Sequence, residues 1–251
     1  MSGDTQFYLA AIAAVILFGL SKGGFSGLST LGMPLMSLVA SPIRAAAIVL
    51  PILIVQDWVG VWAFRRDFST RNLVILIPSA LIGVGLGWLM AARVSDDAVR
   101  LAIGVISIGF VLYMLVRERL GRAPVEKAGV PGGMLWGSLA GFTSFISHSG
   151  APPFQVYVMP QYLKPRVFAG TATMFFAAVN LIKLPPYFLL GQFSRDNLLV
   201  SAWLVPVAVV STFAGVWLVR RVSPARFYAF ILALTFLIGV KLTYDAALAL
   251  A

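Results

Sequence analysis

Most of this chain consists of long apolar blocks that few polar residues interrupt, such as residues 73–92 and 167–190. A helix needs about 20 consecutive apolar residues to cross the hydrocarbon core of a bilayer, and these blocks have that length. Hydrophobic residues make up 60% of the chain and charged residues 11%, against about 45–50% and about 25% in typical soluble domains. The blocks also lack the apolar–polar alternation of a transmembrane β-barrel. We therefore predict an all-α integral membrane protein.

The residue inventory excludes several kinds of chemistry. The chain has no cysteine, one histidine and no pair of acidic residues within its apolar blocks, so we predict no metal site and no cofactor. Ser147 and Ser149 flank His148 directly and would point away from it in regular backbone, which disfavours a serine hydrolase and an enzymatic function. The net charge of +10 resides mainly in short loops, where lysine and arginine orient a membrane protein rather than bind nucleic acid.

Two segments rich in glycine, serine or proline, residues 21–27 and 147–153, break the apolar pattern at corresponding places. The Met-Pro pair at 33–34 aligns with the Met-Pro pair at 159–160, an offset of 126. Further matches follow in the same order, which indicates an internal duplication. We predict a first repeat over residues 1–117, a linker over 118–132 and a second repeat over 133–251. The further matches are residues 68–73 with 193–198, and residues 94–95 with 222–223.

The loop charges favour inverted repeats. If each broken segment enters the membrane and returns, the basic residues of the loops divide into twelve cytoplasmic and four external residues. If each segment crosses once, they divide into eight and eight. The positive-inside rule favours the first arrangement. We therefore predict two inverted repeats, each a re-entrant helical hairpin plus three transmembrane helices, with a cytoplasmic linker and both termini outside.

Short helices interrupted by glycine and proline at corresponding places in two repeats indicate the substrate site of a transporter. Lys22 and His148 occupy aligned positions in the two breaks, and cations beside helix N-termini favour an anion. Other interpretations stay open: the glycines allow close helix packing, Lys22 reaches the membrane interface, or His148 is a neutral core residue. The predicted binding residues of the two breaks are Lys22, Gly23, Gly24, Ser147, His148, Ser149 and Gly150.

Three further polar residues lie within apolar blocks, where ionisable side chains are costly and need a functional or structural reason. Lys183 either completes the anion site or pairs with a carboxylate, and Asn180 lies three residues before it on the same helical face. Asp57 aligns with Lys183 at the offset of 126, which suits a salt bridge, or it carries a proton. We include Asn180 and Lys183 in the substrate site and predict Asp57 as the coupling residue.

The order of these motifs resembles that of the sulfite exporter TauE/SafE family. The resemblance rests on the glycine-rich hairpin ending in Gly-Met-Pro-Leu at residues 32–35, the second break ending in Met-Pro at 159–160, and the two four-part halves. It extends over roughly residues 9–242. It implies a multi-pass permease of the bacterial inner membrane that moves sulfite, sulfonates or related organic anions, usually outward.

The combined prediction is a secondary transporter, acting as an exporter of small sulfur-containing anions such as sulfite or sulfoacetate-like sulfonates. The anion would bind between two broken-helix tips and cross by alternating access. Its partners would be that anion and the lipid bilayer; a homodimer is compatible with the sequence, although no residue indicates one. The alternatives are an anion channel, a permease for another small organic anion, a membrane-embedded enzyme and a structural subunit.

Overall fold

A computed structural model describes the backbone of residues 2–37, 39–40, 42–90, 93, 95–120, 128–189 and 193–250. Within these ranges the chain forms ten α-helices, one short 3-10 turn and no strand, so the predicted all-α class is confirmed. The helices are α1 (Ser2–Lys22), α2 (Ser29–Ser37), α3 (Pro42–Ala63), α4 (Thr70–Met90), α5 (Asp96–Arg119), α6 (Val130–Ser147), α7 (Ala151–Val158), α8 (Pro165–Leu189), α9 (Arg195–Val219) and α10 (Pro224–Leu250). The 3-10 turn Met159–Gln161 follows α7.

Six of the described helices are long and apolar enough to cross a membrane: α1, α4, α5, α8, α9 and α10. Helix α3 contributes a further apolar stretch, Ala47–Ala63. The apolar blocks of the sequence thus become helices because a continuous helix pairs its own backbone groups, which hydrocarbon cannot solvate. The protein is a multi-pass integral membrane protein.

Both predicted breaks interrupt a helix. Helix α1 ends in a left-handed turn: the Gly24 N–H donates to the Ser21 carbonyl and the Phe25 N–H to the Leu20 carbonyl, the bonding pattern of a Schellman cap. Gly24 has a φ of +133°, which an L side chain rarely adopts. Helix α7 begins with proline at its first positions, where the missing N–H costs nothing.

One compact unit, unit 1, comprises Met1–Phe68 and Pro165–Val222 and therefore contains α1, α2, α3, α8 and α9. In it α1 packs against α9, and α3 packs against α8 and α9. A Cβ added at Gly23 would lie 2.5 Å from the Cα of Gly215, so the two backbones meet directly at this crossing. This contact fixes the C-terminal end of α1.

The other compact unit, unit 2, comprises Ser69–Lys164 and Ser223–Ala251 and contains α4, α5, α6, α7 and α10. Helix α4 packs against α6, and α5 packs against α10. A Cβ at Gly83 of α4 would lie 1.9 Å from the Ser138 carbonyl oxygen, and the Ser138 hydroxyl donates to the Ser79 carbonyl over 3.0 Å. Small residues thus allow close packing in both units, as is typical of membrane helices.

The helix pairs agree with a duplication. When α1–α5 are aligned with α6–α10, the α1–α9 pair of unit 1 corresponds to the α6–α4 pair of unit 2. The α3–α8 pair and the α5–α10 pair each join a helix to its own equivalent. Each unit therefore takes helices from both halves of the sequence. The limits of the repeats and their inverted orientation remain predictions.

Candidate functional site

A cluster of buried polar side chains lies inside unit 1, where the end of α1 meets the middle of α3 and α8. The Lys22 Nζ lies 2.6 Å from the Asp57 Oδ1, and both side chains are buried. The Asn180 Nδ2 donates to the Asp57 Oδ2 over 2.7 Å. Lys183 is fully buried and interacts electrostatically with both Lys22 and Asp57. The structure thus brings together Lys22, Asn180 and Lys183 of the predicted substrate site with Asp57, the predicted coupling residue.

The fold holds Lys22 through its backbone as well as its side chain. The last carbonyls of a helix have no partner within it, and the Lys22 carbonyl accepts a hydrogen bond from the Thr173 hydroxyl over 2.9 Å. A Cβ at Gly60 would lie 2.6 Å from the Thr173 Cγ2, so glycine lets α3 approach α8 here. Cations are favoured at a helix C-terminus, which suits Lys22 as the last residue of α1.

Four residues of α8 share the face that meets this cluster: Thr173, Phe176, Asn180 and Lys183. Their spacing of three, four and three residues is that of one helical stripe. The Phe176 ring centroid lies 5.5 Å from the Lys22 Nζ, within the range of a cation–π interaction. Sequence reasoning missed Thr173 and Phe176, although the helical spacing from Asn180 and Lys183 was the signal that could have found them.

Asp57 also lines a cleft at the surface of unit 1. The other lining residues are apolar, and two of them, Trp58 and Leu181, are 67% and 50% exposed. The Asp57 carboxylate contacts Lys22 and Asn180 in the interior, while the cleft that Asp57 helps to line exposes apolar surface. The cleft is lined by Ile54, Asp57, Trp58, Val61, Ala177 and Leu181.

The structure bears on two interpretations that the sequence left open, the position of Lys22 and the partner of Asp57. Lys22 does not reach toward a membrane interface, because its side chain is buried against Asp57. The alignment of the repeats suggested a salt bridge from Asp57 to Lys183. The close ion pair of Asp57 is with Lys22, and Lys183 also interacts electrostatically with Asp57.

The second predicted tip lies in unit 2. His148 has a φ of +53° and ends α6, its N–H donating to the Ser144 carbonyl over 3.2 Å. The Ser149 N–H donates to the Thr143 carbonyl over 3.2 Å, and the side chains of His148 and Ser149 are buried. The Ser147 side chain lies outside the described part. The contribution of these residues and of Gly150 to anion binding remains a prediction.

A polar contact that the sequence did not indicate holds the short helix after this tip. The Thr235 hydroxyl on α10 donates to the Gln155 Oε1 on α7 over 2.6 Å, and both side chains are buried. In an apolar interior such a bond is costly to leave unmade. It therefore orients α7 within unit 2.

The described residues include no group of three or more His, Cys, Asp or Glu side chains able to hold a metal ion, so the chemistry of the unit 1 cluster is that of two lysines, a carboxylate and an amide. Ionisable residues inside membrane spans, beside helices broken by glycine and proline, define a multi-pass membrane protein of the kind that moves ions or charged solutes.

A family model described as "Sulfite exporter TauE/SafE" matches residues 11–242, nearly the whole chain. The protein belongs to the TauE/SafE sulfite exporter family, and the resemblance predicted from the motifs is confirmed. Membership makes it one of a family of membrane transporters for sulfite and sulfonates. Comparisons with curated proteins and with solved structures found no match.

Proposed function

We propose that this protein is a secondary transporter that exports a small sulfur-containing anion, such as sulfite or an organosulfonate, across the bacterial inner membrane. The observation that carries the proposal is the buried cluster of Lys22 and Lys183, on helices long enough to span a membrane, with Asp57 on the apolar helix α3. Charges in hydrocarbon are expensive and mark ion or substrate pathways. Because two of the three groups are lysines, the ligand that this cluster favours is an anion.

The anion would bind the ammonium groups of Lys22 and Lys183 together with the Asn180 amide. Oxygens of a sulfite or sulfonate accept hydrogen bonds from ammonium and amide N–H groups, and such charge-assisted bonds are the strong ones. Gly23 and Gly24 remain proposed anion-binding residues of unit 1 as close-approach positions, because their backbone N–H groups already donate to the Gly19 and Ser21 carbonyls. Ser147, His148, Ser149 and Gly150 remain the proposed anion-binding residues of unit 2.

Transport would proceed by alternating access, with two inverted repeats moving around the bound anion. The repeated helix pairs, α1 with α9 and α6 with α4, support a duplicated architecture of this kind. Asp57 is the proposed coupling residue, because its carboxylate contacts the same lysine and amide that the anion would use. No catalytic step belongs to the proposal.

The proposal is tested by anion flux into proteoliposomes containing the purified protein. We expect saturable uptake of sulfite or a sulfonate that is stimulated by the same anion on the opposite side, and loss of this flux in Lys183→Gln. The matched control is Lys241→Gln, because the Lys241 side chain is half exposed and pairs with Asp245. Flux that rises linearly with concentration and shows no stimulation would indicate a channel, and no anion flux would overturn the proposal.

A further inference from the structure

We propose that the charge sum of the Lys22–Asp57–Lys183 cluster selects a monovalent anion, and that Asp57 is the residue that sets this preference. The inference rests on the proposed function, because it concerns the same anion site. It adds the charge class of the substrate, which neither the family nor the fold supplies.

The cluster contains more basic than acidic side chains. The chain has nine acidic residues, and of those the structure describes, Asp57 alone lies in the middle of an apolar helix; the others lie in loops or near helix ends. With all three groups ionised, the cluster holds two positive charges, on Lys22 and Lys183, and one negative charge, on Asp57. The sum is plus one.

The three ionisable side chains of the cluster are buried. Lys22 is 7% exposed, Asp57 4% and Lys183 0%, so bulk water and salt screen these charges little. At low effective dielectric constant, charges interact strongly and an unbalanced sum is costly. One monovalent anion brings the sum to zero. A divalent anion would overshoot to minus one and would meet the Asp57 carboxylate as a like charge.

The Asp57 carboxylate is held in place by contacts to both of its oxygens. One carboxylate oxygen contacts Lys22 and the other accepts from Asn180, so two helices other than its own fix the group. When ionised, a carboxylate fixed beside the lysines supplies a counter-charge and repels a second negative charge. Sulfite exists near neutral pH as a singly or a doubly charged ion, and the inference assigns the singly charged form to this site.

The experiment uses two tetrahedral sulfur oxyanions of similar size and different charge, methanesulfonate with one negative charge and sulfate with two. Binding of each to the purified full chain in detergent is measured by calorimetry. We expect the wild type to bind methanesulfonate at least about tenfold more tightly than sulfate, a factor that corresponds to about 1.4 kcal/mol. The variant Asp57→Asn raises the charge sum to plus two and should reverse this preference.

Two more variants keep the test decisive if Asp57→Asn does not fold. Lys22→Gln together with Asp57→Asn returns the sum to plus one and should restore the preference for methanesulfonate. Lys22→Gln alone lowers the sum to zero and should bind neither anion measurably. The preference should therefore follow the charge sum rather than the identity of any one residue.

The outcomes separate this inference from the proposed function. The charge inference fails, and the anion site stands, if the wild type binds both anions but Asp57→Asn still prefers methanesulfonate. If Asp57→Asn does not fold, a preference for sulfate in the double variant has the same meaning. If the wild type binds methanesulfonate, sulfate and sulfite no better than Lys183→Gln does, the anion site itself fails, and the proposed function fails with it.

Discussion

The amine of Lys22, at the end of α1, lies 2.6 Å from the carboxylate of Asp57, in the middle of α3. Both side chains are buried, and the second carboxylate oxygen is bonded to Asn180. A buried pair of this kind contributes little over a well-packed apolar pair, but removing one partner leaves an uncompensated charge. The pair therefore links the stability of the protein and the proposed anion binding to the same atoms.

Removing only Lys22 should destabilise the protein more than removing both partners. We expect Lys22→Met to lower the free energy of unfolding by about 3–5 kcal/mol, because Asp57 is left buried without its cation. The double variant Lys22→Met with Asp57→Asn should lose less. Chemical unfolding in detergent measures both. As a control, Lys241→Met breaks the exposed pair with Asp245 and should cost about 0.2–1 kcal/mol. Equal losses for the single and double variants would show that the pair is not coupled.

An apolar carbodiimide should cross-link Lys22 to Asp57. Asp57 helps to line the apolar cleft, so we expect the reagent to reach its carboxyl group from that side and to add to it, forming an activated ester. The Lys22 amine then attacks the activated carbonyl, forming an amide and releasing the reagent as its urea, so the protein loses one water. Peptide mass spectrometry should find this link in the wild type and not in Asp57→Asn.

The exposed pair of Lys241 and Asp245 is the internal comparison for that experiment. A water-soluble carbodiimide should link this pair, whose side chains are 50% and 40% exposed, and should leave Asp57 unmodified. An adduct on Asp57 that is not joined to Lys22 would contradict the observed contact. Labelling of Asp57 by the water-soluble reagent alone would contradict access through an apolar cleft.

The helices and their breaks could be predicted because both depend on local chemistry. Apolar blocks of bilayer length must form helices, and Gly24 and Pro152 act on the backbone within their own turn. The partner of Asp57 could not be predicted in this way. Its contact with Lys22 depends on how α1 packs against α3, and the alignment of the repeats pointed to Lys183 instead. The role of Thr173 lay within reach, since it shares a helical face with Asn180.

Replacing Gly23 should separate the two interpretations of the glycines at the first tip. A Cβ at Gly23 would lie 2.5 Å from the Gly215 Cα, so Gly23→Ala should force α1 and α9 apart and cost about 1–3 kcal/mol. Gly85→Ala is the control, because a Cβ there meets nothing within 4 Å. Thermal unfolding in detergent measures the difference. If Gly23→Ala is as stable as the control and loses only anion binding, the glycine serves the ligand and not the packing.

The Thr173 hydroxyl should stabilise the position of Lys22 from α8. It donates to the Lys22 carbonyl over 2.9 Å, and this carbonyl belongs to the last turn of α1, where helical partners are missing. Thr173→Val preserves the shape of the side chain and removes the donor, which leaves a buried acceptor unpaired at a cost of about 1–3 kcal/mol.

Thr173→Val should also loosen the end of α1. The yield of the Lys22–Asp57 cross-link should therefore fall together with the free energy of unfolding. The control is Thr243→Val. The Thr243 hydroxyl donates to the Gly239 carbonyl of its own helix, so its removal should change stability and cross-link yield little. Unfolding in detergent and cross-link yield are measured on the same preparations. An unchanged cross-link yield in a destabilised Thr173→Val would show that the side-chain pair of Lys22 and Asp57 holds its geometry without the backbone contact from α8.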